Sequence, residues 1–373
     1  MTSKPSFKGF LVFFVFKKKL YYFCASNSSE MKAHTLHLEK ALGAALFVLL
    51  LCVAGSKNAL AQNEAATLQH NGNISVFFGT DALVNAAAAA TDGDTITLSS
   101  GTFNGCTFTL PIVVHGAGCV ADPVSGTAPT RIMSTSHCSA NNLVFEGIHF
   151  NSTILGTSYD IYENVHFTKC NIDKFDLIYF NSGGYINGLY MEDCIVKNFE
   201  YKGYGGTFIN CVLEMQNFYH ASSTDYNVFF NTILLFSYLH YQRITHSVVN
   251  NCILTFDGPT SIDLENSTFN NCIAIRPEGV TIFENQTNNM EVATFEEVFQ
   301  TFTGTITFDN SYQLTDNIAT SFLGNDNTEV GIYGGMAPYN TKLPYQIIKN
   351  CKVASRTDEN QQLGVQIELN TNN

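Results

Sequence analysis

The sequence predicts an all-β fold, a right-handed single-stranded parallel β-helix of about ten coils, and three observations carry that prediction. First, six short segments repeat: VHFTKCNI (165–172), LYMEDCIV (189–196), GTFINCVL (206–213), NVFFNTIL (227–234), SVVNNCIL (247–254) and STFNNCIA (267–274). Each alternates apolar and polar residues up to a small anchor. The anchors Cys170, Cys194, Cys211, Thr232, Cys252 and Cys272 stand 24, 17, 21, 20 and 20 residues apart. A unit of that length cannot bury its own apolar face, so neighbouring units must stack. Second, the chain holds 30 Phe and 17 Tyr but no Trp, and helical periodicity is nearly absent, which favours strands. Third, a content of 45% hydrophobic and 14% charged residues suits a folded chain with a large core.

Within the repeat, Phe167, Met191, Phe208, Phe229, Val249 and Phe269 lie three residues before the anchors. Ile172, Val196, Leu213, Leu234, Leu254 and Ala274 lie two residues after them. An offset of three breaks strict alternation, so a bend between the two sets is required to turn both inward. Stacking then places the six anchors in one column. Such a column reads as a structural ladder of small buried side chains or as thiols for disulfides and metal. No C-x-x-C spacing occurs, and nine cysteines remain after residue 61, an odd number. Both facts favour the ladder, although a rung spacing of about 4.8 Å leaves a bridge open on distance. Asn210, Asn231, Asn251 and Asn271, each preceding an anchor, are expected to form an amide ladder at a corner. Phe175, Phe199, Phe236 and Phe256 are expected to stack internally. Earlier segments, DTITL (94–98), FTLPIVVHG (108–116) and LVFEGIHF (143–150), fit the repeat more loosely.

The ends divide the chain into three parts. Residues 42–55, LGAALFVLLLCVAG, follow Lys32 and Lys40 and precede Ala59-Leu60-Ala61. A short apolar run between a basic start and an A-x-A site reads as a secretory signal peptide cleaved near Ala61, with Met31 as its natural start. Residues 1–61 are thus an upstream extension plus signal, the rival reading being a double hydrophobic anchor. Residues 62–340 form the β-helix. Residues 341–373 hold two alternating runs around a polar turn at Thr357–Asn360, a C-terminal hairpin or cap. The expected product is secreted or extracytoplasmic, with no transmembrane segment in the mature chain.

A solenoid needs its ends covered. Asp81–Ala90 reads as a short capping helix, with Thr80 or Asp81 as N-cap. Asp92-Gly93 then turns the chain into DTITLSSGTF (94–103). This stretch, with Gly93, Asp94, Thr95, Ile96, Gly101, Thr102 and Phe103, resembles the entry of secreted bacterial right-handed β-helix proteins with a pectate-lyase-like fold. Gly324-Asn-Asp-Asn-Thr-Glu-Val-Gly-Ile-Tyr-Gly-Gly335 is similar to their Gly-rich closing element, departing from it at Asn327. The resemblance covers about residues 75–340 and implies architecture. It implies no reaction, since many proteins of this kind have no assigned activity.

Chemistry is less legible. The first 61 residues carry eight lysines against Glu30 and Glu39, so the remainder holds 11 basic and 30 acidic residues, a net charge of −19. That surface excludes nucleic acid and disfavours polyanionic glycans. Seven residues before the anchors stand Glu163, Asn187, Tyr204, Asp225, Thr245 and Glu265. Their acids lie two or three rungs apart, too far to share one Ca²⁺. Glu192-Asp193 points its side chains to opposite faces. No metal and no cofactor is implied.

A catalytic reading rests on His220, His240, Tyr241 and Arg243, where a His or Tyr base beside an Arg would suit a polysaccharide lyase or glycoside hydrolase. The same residues also suit a polar surface strand. The more orderly feature is a column of tyrosines, Tyr179, Tyr201, Tyr204, Tyr219 and Tyr241, with Tyr185, Tyr226 and Tyr238 nearby. Flat rings spaced along a rod stack against sugars, yet Tyr is also simply a good strand residue. The leading expectation is a secreted or cell-surface protein that binds glycans or surfaces. The alternatives are a polysaccharide lyase or glycoside hydrolase working on an outer face, and a structural or adhesive rod. Sequence leaves the oligomeric state open.

Overall fold

A computed structural model describes residues 64–373 apart from 124–125, 156–160, 178–183, 221–223, 237–241, 257–261, 277–280, 284–285, 287, 344–346, 358–362 and 371–373. The expected signal peptide and its cleavage site lie outside the described residues. The chain winds as a right-handed parallel β-helix. Among the described residues, nine parallel strands climb its first face: Thr95–Leu98, Val113–His115, Val144–Glu146, His166–Thr168, Tyr190–Glu192, Thr207–Ile209, Asn227–Phe230, Ser247–Asn250 and Thr268–Asn270. A second face begins at Gly101–Phe103 and ends at Met290–Val292. A third includes Ile161–Glu163, Tyr185–Asn187 and the end of the long strand Ile195–Tyr204, with Gln242–Arg243 and Ile262–Asp263 higher up.

The repeat register is the one the anchors predict. Phe167, Met191, Phe208, Phe229, Val249 and Phe269 are consecutive partners on the first face. All are buried, and rings stack along the column, as Phe208 on Phe229 with centroids 4.7 Å apart. Ile172, Val196, Leu213, Leu234, Leu254 and Ala274 are likewise in register and buried. The bend between the two sets is a single left-handed residue before each anchor: Lys169, Asp193, Asn210, Asn231, Asn251 and Asn271 have φ between 48° and 55°. Asn tolerates that conformation better than most residues, which explains its recurrence there. Phe175 packs on Phe199 and Phe236 on Phe256, but Met215 stands between the pairs.

The anchor column is fully buried and carries no disulfide: the eight cysteines whose side chains are described are free. Each anchor donates to the carbonyl two residues earlier, Cys194 Sγ to Glu192 at 3.2 Å and Thr232 Oγ1 to Phe230 at 2.9 Å. Burial pushes the thiols of Cys170, Cys211 and Cys252 up, away from the thiolate form. The column is a set of weak donors tying off the corner.

The helix Ala82–Ala89 forms, with Ala82, Leu83 and Ala86 buried against the first coil. Asp81 sits at its N-cap without capping through its side chain, which instead accepts from Asn104 Nδ2 at 2.7 Å. An unanticipated hairpin, Ala65–His70 with Asn73–Phe78, pairs antiparallel with Thr95–Leu98. It closes the otherwise open edge of the first rung.

The far end departs from expectation. Parallel stacking stops at Val292, giving about eight turns instead of ten. Residues 293–343 then leave the stack and run back along its side. Ile195, Val212, Ile233, Ile253 and Ile273 form an outward apolar stripe on the second face, covered by Val298, Phe299, Phe302, Tyr312, Leu314, Ile318, Val330 and Ile332 in a second core. The Gly324–Gly335 segment therefore closes a flank, not the last coil. It and the following residues descend the asparagine corner as a strap. Asn271 Nδ2 donates to the Leu323 carbonyl at 3.0 Å, Asn251 exchanges bonds with Asn325 at 2.9 and 3.1 Å, and Asn210 Nδ2 donates to the Ala337 carbonyl at 2.6 Å. Lys169 Nζ then donates to the Asn340 carbonyl. The expected amide ladder is thus replaced by amide-to-strap bonds, because the strap offers backbone groups that a free corner would leave to water. Strands Ile347–Thr357 and Leu363–Asn370 pair antiparallel at the C-terminus. No helix among the described residues is long and apolar enough to cross a membrane.

Candidate functional site

The third face places some of the candidate residues together and separates others. Glu163, Asn187 and Tyr204 share one outward column, and Lys202 pairs with Tyr219 in the next. The rings of Tyr185 and Tyr204 lie 5.3 Å apart. Tyr204 has its phenol pushed above its ordinary value, first by a hydrogen bond with Tyr185. Above them, the guanidinium of Arg243 sits 5.1 Å from the Tyr219 ring centroid and its Nε lies 2.9 Å from Asp263 Oδ2. A cation over a ring, braced by a carboxylate, fixes the orientation of both. At the corner below the first face, Tyr226 is 44% exposed and faces His246 at 6.1 Å.

Tyr201 is a correction. It was expected on the ligand-binding flank but is fully buried, stacked between Phe199 and Phe218 at 5.9 and 5.1 Å. Its hydroxyl donates to Asn227 Oδ1 at 3.0 Å, so the polar tip that suggested a surface residue is satisfied inside. Tyr179, His240 and Tyr241 lie outside the described residues, as does the side chain of His220, whose backbone ends the strand Val212–His220. Arg243 stands in an ion pair with Asp263 and a ring contact with Tyr219.

A second constellation escaped the sequence reading. On the first face, the residues flanking the inward Val114, Phe145, Phe167 and Met191 point outward. In four consecutive rungs these include His115, Glu146, His166, Tyr190 and Glu192. His115 Nδ1 lies 2.9 Å from Glu146 Oε2, Tyr190 donates its hydroxyl to Glu192 Oε2 at 2.8 Å, and the His166 and Tyr190 rings are 5.2 Å apart. Burial lowers the His166 pKa; burial and then the Glu192 bond raise that of the Tyr190 phenol. Glu146, Thr168 and Glu192 are consecutive partners in one column, which continues upward through Ile209 and the exposed Phe230. The signal that would have found this cluster is the residue on either side of each inward apolar side chain, read coil by coil. Asp193, beside Glu192, occupies the corner and pairs with Lys169 Nζ at 2.7 Å.

Among the described residues, no group of three or more His, Cys, Asp or Glu side chains is arranged to hold a metal ion. Compared with known proteins, the chain matches no family model, no curated protein and no solved structure.

Proposed function

We propose that the chain is a secreted or cell-surface β-helix protein of the pectate-lyase-like kind, which binds a neutral glycan along its third face. The observation that carries this reading is the row of rings on that face, the Tyr185–Tyr204 pair followed by Tyr219 under Arg243. Rings held in fixed orientation on a rigid sheet stack on sugars with little conformational cost, while their hydroxyls bond to sugar hydroxyls. The net charge of −19 beyond residue 61 turns the preference toward uncharged chains.

A glycan array probed with the protein from Gln62 onward tests the reading. Binding to neutral glycans that falls at least about tenfold in Tyr204→Ala and Tyr219→Ala supports it, one order of magnitude corresponding to about 1.4 kcal/mol. Array binding unaffected by either change moves the site elsewhere. No binding to any glycan leaves an adhesive rod.

A further inference from the structure

We propose that the outer strand of the N-terminal hairpin, Asn73–Phe78, is a docking edge for a second copy of this chain, joined as an antiparallel pair centred on Val76. Ala65–His70 is paired on both sides, with Thr95–Leu98 and with Asn73–Phe78. The hairpin thus covers the first rung only by moving the open edge outward, and Asn73–Phe78 becomes the terminal strand of the 11-stranded sheet. Proteins ordinarily blunt such an edge with a bulge, a proline or a lysine. This strand has none of them: its ladder runs without a register shift, and NISVFF contains neither proline nor charge.

The turn fixes which backbone groups are left open. Asn71 and Gly72 have φ of 47° and 80°, as in a two-residue type I′ turn closed by the pair His70–Asn73. That pair exchanges hydrogen bonds, and alternation makes Leu68–Ser75 and Ala66–Phe77 the next such pairs. The bond from Gly79 N to the Glu64 carbonyl at 2.9 Å falls at the following place in the series. The N–H and C=O groups of Ile74, Val76 and Phe78 therefore point to the free edge. The same three residues expose their side chains, at 68%, 48% and 57%. Phe77 between them turns to the other face and packs on the core.

Charge selects the occupant. Residues 65–78 hold no Asp, Glu, Lys or Arg, in a chain whose net charge beyond residue 61 is −19. Two copies so charged repel over most of their surface, and the uncharged hairpin is where they approach at least cost. A basic or acidic partner finds no ion to pair with on this strand. The strand is also self-complementary. Across a two-fold axis at Val76, Ile74 of each copy lies opposite Phe78 of the other, and Val76 lies opposite itself. Each facing pair exchanges two N–H···O bonds. The side chains line one face of the joint ladder as cross-strand aromatic and β-branched pairs, a stabilising combination. Of the flanking acids, Asp94 is already paired with His70 at 2.8 Å. Glu64 sits opposite Gly79, so the two-fold sets the two Glu64 carboxylates about 20 Å apart, beyond the Debye length of about 8 Å.

Residues 62–373 form a compact unit of their own, and sedimentation velocity of the protein from Gln62 onward, over micromolar concentrations, tests the proposal. The expected result is a monomer–dimer equilibrium whose dimer strengthens as added salt screens the repulsion between copies. Val76→Lys and Val76→Glu each set like charges opposite one another at the two-fold, and each should weaken the dimer at least about tenfold. Val76→Thr, which adds no charge, should keep it. An equimolar mixture of the Lys and Glu variants should dimerise to within about tenfold of wild type, since only this register makes residue 76 meet residue 76. A monomer at every concentration and salt, a Val76→Lys dimer as tight as wild type, or a mixture that stays monomeric would overturn the proposal. Glycan binding by the third face is read separately on the array, so a monomer that binds glycans removes this interface and leaves that reading.

Discussion

The Thr232 hydroxyl accepts the backbone N–H of Cys211 at 3.4 Å, as the sulfur of Cys194 accepts that of Cys170 at 3.5 Å. Threonine and cysteine are interchangeable in this column because each is small and each supplies a donor for the carbonyl two residues before it. Thr232→Cys should leave stability within about 1 kcal/mol, and Thr232→Val should cost about 1–2 kcal/mol through its lost hydrogen bonds. Cys211→Leu, which overfills the column, should cost about 1–3 kcal/mol. Urea unfolding monitored by circular dichroism measures all three.

Tyr201 is a core residue. Tyr201→Phe removes the bond to Asn227, whose amide oxygen still accepts from Gly206 N at 2.9 Å. The expected cost is about 1 kcal/mol. Tyr201→Ala also empties the space between Phe199 and Phe218, and about 3–5 kcal/mol is expected. A thermal melt of each variant checks the order; equal melting temperatures for Phe and Ala would return Tyr201 to the surface.

Glu291 ties down the top of the stack. Its carboxylate accepts the N–H groups of Ile282 and Phe283 at 2.8 Å and pairs with Arg276 Nε at 2.5 Å. Desolvation by burial acts upward on its pKa, and these bonds outweigh it, so the folded value lies below the ordinary one. For an acid so lowered, the stabilisation is present above the unfolded value of about 4.3 and is lost as pH falls through the folded value. Glu291→Gln should therefore lower the melting temperature at pH 7, and the gap from wild type should close as pH drops below about 4. A gap that is constant from pH 7 to pH 3 would show that charge at this position does not matter.

The strap is held by the corner asparagines. Asn251→Gly keeps the left-handed backbone (φ 55°) while losing both bonds to Asn325, whereas Asn251→Ala loses the bonds and adds strain. Limited proteolysis should cut within 323–343 faster in both variants, with alanine the more sensitive. Protection equal to wild type would mean that the second core alone holds the strap.

The coil was legible because its inward residues are chemically alike and recur at one period. Phe167, Met191, Phe208 and Phe229 announce a column by their spacing alone. Outward residues obey no such rule, since water accepts any polar side chain. His115 and Glu146 are 31 residues apart and meet only because an irregular coil between them closes on adjacent rungs. Tyr201 failed for a related reason: within Ile195–Tyr204 the ladder to its neighbour carries a register shift near Phe199, so counting from the anchor lost the face.

Sequence by itself determined the β-helix, its register from residue 165 to residue 275, the identity of the buried anchor column and the N-terminal helix. Tertiary structure alone decided where the stack stops, that residues 293–343 cover the second face, and that His115 meets Glu146 on the first. The reason is range. A repeat is written in local spacing, which the chain displays directly. The strap and the His115–Glu146 pair depend on contacts between coils whose loop lengths vary, and only the closed turns bring those residues into one place.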